Sequence, residues 1–207
     1  MTTTDRTAGA IILKDLALFD KAAVYFETEI DPLVRSELGD VVAKWLETNS
    51  WEGEPDASDD FGDIWVAPSE WSVEASNADY VAKFWLEAYS DVKSYDIANM
   101  FGVGQTKYGF WFTIENYDFA GGSKRAWNSY VGTLSELAQK LGKLGWTHEG
   151  KGTFFLPVTL PADRLADAWD SEDWSEALAP LVVALDALKD AMPVFNTIIA
   201  GAKQKSE

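Results

Sequence analysis

Cysteine is absent from the 207-residue chain, and histidine occurs once, as His148. The first absence excludes disulfides, thiolate metal sites and cysteine nucleophiles. The second excludes any centre built on two imidazoles. No nucleophile or orienting carboxylate is legible around His148, which reads as an ordinary surface or half-buried histidine. No apolar run reaches the ~18 residues that a membrane-spanning helix needs. The opening MTTTDRTAGA lacks the basic, apolar and small-residue succession of a signal peptide, so the expected compartment is the cytosol.

Positive charge is also scarce. Seventeen Lys and Arg stand against 34 Asp and Glu, a net charge of −17. Such a field repels nucleic acid and anionic membranes and attracts basic surfaces. Lys outnumbers Arg 13 to 4 and large aromatics abound, a balance that argues against salt adaptation.

What is present is core material. The chain is 47% hydrophobic and 14% aromatic, enough for a sizeable packed interior and too apolar for disorder of the whole. Residues 1–7 read as a polar tail. Ile12, Leu16, Phe19, Ala23 and Phe26 recur at three- and four-residue spacing, which predicts a helix from about Ala8. Asp31-Pro32 supplies an N-cap and a first-turn proline for a second helix to about Thr48, so 8–48 reads as a helical hairpin. The period then shortens to two. Short strands are expected around Pro68, over Tyr80–Tyr89 and over Tyr108–Glu115, with Trp85 on the wetter face beside Lys83 and Glu87. One helix is predicted over 122–144 with Gly145 as its C-cap, then a hairpin to Leu160. Helices follow over 162–200, with Pro193 expected to bend or stop the last. Consecutive strands flanked by helices make this an α+β chain: a mostly antiparallel sheet of about 5–6 strands spanning 62–158, helices packed on one face, one domain over 1–207.

Three motifs dissolve on inspection. Gly102-Val-Gly104 leads into a strand rather than a helix, so it reads as a turn and not as a phosphate loop. Glu149-Gly-Lys151 matches the tail of a nuclease signature but falls in a glycine-flanked turn. Asp56 onward fails EF-hand spacing, since position 6 is Phe61 and position 12 is Ala67. No metal, cofactor or catalytic residue is assigned.

One feature survives. Between Lys44 and Lys83 the chain holds ten acids and no cation, with six of the acids in residues 51–63. A second cluster, Asp163 to Glu176, is explained by helix starts, where negative charge is favoured. The first has no such explanation and reads as an exposed acidic loop over 47–63. Several of the ten tryptophans adjoin acids, as in Trp51-Glu52 and Glu70-Trp71. Aromatic anchors beside carboxylates suit a basic protein surface rich in Arg. The expected contact set is Trp51, Glu52, Glu54, Asp56, Asp59, Asp60, Asp63, Glu70 and Trp71. The partner is a basic protein surface, such as that of a nucleic-acid-binding enzyme, with no direct contact to nucleic acid or membrane. In composition alone the charge resembles that of phage and plasmid anti-defence inhibitors that mimic DNA. Two alternatives compete: a carboxylate hydrolase using Asp59, Asp60, Asp63, Glu70 or Glu115, and an acidic structural or assembly subunit.

Overall fold

The computed structural model describes residues 3–55, 64–75, 78–117 and 122–204. Its helices are α1 (Thr3–Lys14), α2 (Leu16–Tyr25), α3 (Asp31–Asn49), α4 (Asp96–Met100), α5 (Lys124–Val131), α6 (Ser135–Lys143), α7 (Leu165–Ser171) and α8 (Ser175–Gln204). Six strands form an antiparallel sheet in the order β1 (Trp51–Glu54), β2 (Ile64–Pro68), β5 (Ala82–Ala88), β6 (Tyr108–Ile114), β8 (Thr153–Val158) and β7 (Thr147–Gly150). The remaining pair, β3 (Ser72–Ala75) and β4 (Ala78–Tyr80), makes a separate two-stranded ribbon. The α+β class and the antiparallel sheet match the expectation from sequence.

The core lies on one face of the sheet, and strand alternation puts it there. Val66, Phe84, Phe112 and Phe154 all point inward and are fully buried. Phe195 of α8 stacks on Phe112 with ring centroids 4.3 Å apart and meets Trp146 at 5.0 Å. Helix α3 joins this layer through buried Val34, Leu38 and Val42.

Five expectations are corrected. The first two concern the N-terminus. Residues 3–7, expected as a tail, fall within α1. No hairpin divides 8–48 either: α2 runs through a π-helical turn, Phe26–Ile30, straight into α3. Pro32 cannot donate to the ladder, and its ring would clash with a carbonyl one turn back. The widened turn just before it accommodates that, with the Asp31 amide bonding the Phe26 carbonyl. Asp31 therefore caps nothing; its carboxylate accepts from Arg35 Nε at 2.8 Å.

Next, the helix expected over 122–144 is two helices, broken where Gly132 and Thr133 interrupt the pattern. Thr133 returns its hydroxyl to the Tyr130 carbonyl at 2.7 Å and closes α5. Gly145, at φ +91, ends α6 as expected. Helix α8 also runs through Pro180 and Pro193 without stopping. Phe195, Ile198, Ile199 and Ala202 beyond Pro193 are buried, and their packing outweighs the missing hydrogen bond. Lastly, part of the expected acidic loop is regular structure: Glu47 lies in α3, and Trp51–Glu54 is the edge strand β1.

Candidate binding face

The outer face of the sheet carries a row of aromatics. Register places Trp65, Trp85, Trp111 and Phe155 side by side across β2, β5, β6 and β8. The three indoles are half-buried. Phe155 is fully covered, with Trp111 at 4.7 Å and Tyr89 at 5.0 Å. Lys83 lies over this row, its ammonium 3.7 Å from the Trp65 ring centroid and 5.3 Å from that of Trp85. That cation is held by ring faces as well as by solvent.

Carboxylates occupy the same face. Glu54 pairs in register with Trp65, so Glu54 and Glu52 share its side of the sheet. Glu87 and Glu115 lie two and four residues beyond Trp85 and Trp111, again on the outer side. Glu149 stands at the β7 edge.

Three of these carboxylates are fixed by neutral donors. The Tyr80 hydroxyl donates to Glu52. Trp85 Nε1 at 2.9 Å and Thr113 Oγ1 at 3.0 Å donate to Glu115. Thr147 Oγ1 at 2.6 Å and the Tyr89 hydroxyl at 2.5 Å donate to Glu149. These bonds, that from Thr147 first, hold the Glu149 carboxyl below its ordinary range, and the same contact raises the Tyr89 phenol. Burial and then the bond to Glu52 push the Tyr80 phenol up to about 12, so it remains a donor throughout the neutral range. Neutral donors orient a carboxylate and leave its charge in place.

Between β5, β6 and the start of α5 the face dips into a cavity of about 370 Å³, lined by Trp85, Glu87, Glu115, Tyr117, Lys124 and Trp127 among others. On the helical side a larger groove, about 770 Å³, runs between α3 and α8. Glu37, Asp40 and Asp186 line it, and Trp45 Nε1 donates to Asp186 at 3.0 Å.

The expected contact set divides. Glu52 and Glu54 are exposed on the outer face. Trp51 and Trp71 are corrected: both turn inward. Trp51 packs edge-on against Trp45 at 5.1 Å, and Trp71 is buried with its Nε1 donating to Asn196 at 2.8 Å. For Trp51 the reason is strand alternation, which points Glu52 to the opposite face, whereas Trp71 closes the short 3-10 turn Ser69–Trp71 and turns inward from there. Glu70 sits apart from the sheet face and accepts from Asn196 Nδ2 at 2.6 Å. Asp56, Asp59, Asp60 and Asp63 lie outside the described residues, between β1 and β2. The sequence placed Trp85, Lys83 and Glu87 together on the wetter face, as the structure does, but left Trp65, Glu87 and Glu149 out of the expected contact set and did not single out Trp111 as a surface aromatic. The available signal was aromatic-to-acid spacing of two, as in Trp85-x-Glu87.

Other motifs resolve structurally. Buried Asn99 accepts from the amides of Gln105 at 3.1 Å and Thr106 at 3.2 Å, which makes Gly102–Thr106 a side-chain-tied turn. His148 stacks on Phe154 at 4.8 Å. Asp173 accepts from the Ser175 amide at 3.0 Å at the start of α8, the capping role expected of that cluster.

Compared with protein-family models, curated proteins and solved structures, the chain matches none. Among the described residues, no helix is long and apolar enough to cross a membrane.

Proposed function

We propose that this is a non-catalytic acidic binding protein that occupies a basic, nucleic-acid-binding surface of a partner protein, as a mimic of the nucleic acid. The observation that carries the reading is the outer sheet face. Three of its glutamates, Glu52, Glu115 and Glu149, are held in place by neutral Tyr, Trp and Thr donors, beside a cross-strand row of aromatics. A polyanion read by Arg and Lys presents fixed negative charges at about 1.7 Å per charge along a duplex, and affinity for it is dominated by those charges. Pre-positioned carboxylates reproduce that at low entropic cost, because their rotamers are already set. Half-buried indoles add flat apolar anchors for Arg side chains. The sequence between β1 and β2 adds four more acids, Asp56, Asp59, Asp60 and Asp63.

The test is capture from host extract at about 50 mM and about 500 mM salt, a range over which surface electrostatics are screened. The bait is the full chain, beside a variant carrying Glu52→Gln, Glu54→Gln, Glu87→Gln and Glu149→Gln. Nucleic-acid-binding proteins should be retained by the native chain at low salt, released at high salt, and displaced by excess duplex DNA. Capture that ignores salt and duplex DNA, or that is equal for the variant, refutes the proposal. The last result favours an acidic assembly subunit.

A hydrolase reading has one observation behind it: Glu87 and Glu115 both line the 370 Å³ cavity with Trp85 and Trp127. Paired carboxylates against aromatic walls suit glycoside cleavage. Release of reducing ends from a panel of soluble polysaccharides, lost in Glu115→Gln, would support it.

A further inference from the structure

Among the described residues of α1 and α2 none is buried, and the one ring contact with the body is Tyr25 edge-on to Trp169 at 6.2 Å. Ile11, Leu13, Leu16, Leu18, Phe19 and Val24 are between 49% and 71% exposed. They also surround the helix. Ile12, Leu16 and Phe19 form one stripe, while Ile11, Leu18 and Tyr25, seven residues apart, form another; Leu13 and Val24 lie on a third side. Lys14 and Lys21 share the side between these stripes, and neither helix is long and apolar enough to cross a membrane, so three exposed apolar stripes gain most by enclosure in protein.

At the foot of this arm lies a cavity of about 420 Å³, lined by Phe26, Ile30, Phe101, Val103, Leu165 and Trp169 among others. Asp170 is the one charged residue among its described lining residues. Val103 on its rim is 70% exposed. Arm and groove are therefore neighbours in one chain, both apolar, and of the arm only Tyr25 reaches the groove lining. That is the condition for an isologous exchange: each copy's arm enters the other copy's groove, and the two arms pair between them.

Charge selects the same occupant. Residues 1–25 hold three acids (Asp5, Asp15, Asp20) and three bases (Arg6, Lys14, Lys21). The whole net charge of −17 therefore falls on residues 26–207. Two such bodies repel each other wherever they meet, except through a neutral arm. The size also fits. Eight apolar arm side chains at roughly 100 Å² apiece approach the ~800 Å² per partner of a standard interface.

We propose that the chain is a two-fold dimer in which the helical arm, α1 and α2, of each copy lies in the apolar groove at the foot of the other's arm. The dimer buries apolar surface between like-charged bodies, so it tightens as salt rises, the opposite of the salt response expected for a basic partner.

Sedimentation equilibrium of the full chain tests this at about 50 mM and about 500 mM salt. A dimer is expected, with a lower dissociation constant at the higher salt. Phe19→Asp on the arm and Val103→Asp on the groove rim should each weaken association about 10–100-fold. Both side chains are solvent-exposed in the isolated chain, so circular dichroism and melting of the monomer should be unchanged. A monomer at all concentrations overturns the proposal, as does a dimer indifferent to both substitutions. Co-sedimentation of a monomeric chain with phosphatidylcholine vesicles, abolished by Phe19→Asp, also overturns it and assigns the arm to a lipid surface.

Discussion

Replacing Phe195 by alanine should lower stability by about 4 kcal/mol, within the ~3–5 kcal/mol range of buried Phe→Ala substitutions. Phe195 is fully buried and stacks on Phe112 at 4.3 Å, with Trp146 at 5.0 Å, Phe84 at 5.4 Å and Phe154 at 5.8 Å. Each such aromatic pair adds about 0.5–1.5 kcal/mol beyond area burial, which places the site in the upper half of that range. Collapse around the cavity is resisted from both sides, because the sheet supplies Phe84, Phe112 and Phe154 and the residue itself lies on a helix pinned by Ile198 and Ile199. Urea denaturation followed by tryptophan fluorescence reads the effect. With a slope of about 2–3 kcal/mol per molar urea, the midpoint should fall by roughly 1.3–2 M. Val183→Ala serves as the control: Val183 lies on the same helix and is 69% exposed, so its loss should stay within about 0.5 kcal/mol. A midpoint change below about 0.5 M for Phe195→Ala would refute the docking of α8 on the sheet beyond Pro193.

Three further outcomes follow from particular contacts. Gly152→Ala should destabilise by about 2–3 kcal/mol in calorimetry, since φ is +76 and the added Cβ would meet the Trp127 indole that bonds the Gly152 carbonyl; tolerance of the change would disprove that close approach. The Tyr80 phenol, raised to about 12 in the fold from an ordinary 10.0, contributes stability below pH 10 that is lost as pH rises toward 12. Absorbance titration should show this late ionisation, and Glu52→Gln should bring it earlier. Asp173 is held below its ordinary range by Ser175, so its contribution is present at neutral pH and lost as pH falls through the lowered folded value. The melting difference between native chain and Asp173→Ala should therefore close in acid, and a gap that widens there would contradict the capping role.

Periodicity carried the sheet and the core. Tyr108–Ile114 and Ala82–Ala88 alternate cleanly because one face is buried and the other is half-open, the arrangement that writes itself into sequence most plainly. β1 was illegible because two of its four residues are glutamate and one is glycine, a composition that reads as loop. Proline misled at residue 193 for a different reason. A local rule about hydrogen bonds cannot weigh the burial of Phe195, Ile198 and Ile199 further along the helix. The outer face of the sheet was half legible. Alternation over Tyr80–Tyr89 put Lys83, Trp85 and Glu87 on its wetter side, but adjacency of Trp and acid is the wrong pattern for a strand such as Trp51–Glu54. Glu52 and Glu54 stayed in the set, while Trp51 and Trp71 turned into the core.

The π-helical turn at Phe26–Ile30 amounts to one extra residue in an otherwise α-helical course. Above it stands the exposed arm; below it α3 is locked to the core. Deleting a single residue from this turn would return the course to plain α-helix and leave the arm's apolar stripes facing nearly the same way, because the widened turn already absorbs the extra residue. Deleting one from the regular helix on either side would instead swing the stripes by about 100° around the helix axis relative to the body. The turn is thus the one place on this helical course where chain length can change by a residue without re-aiming Leu16 and Phe19.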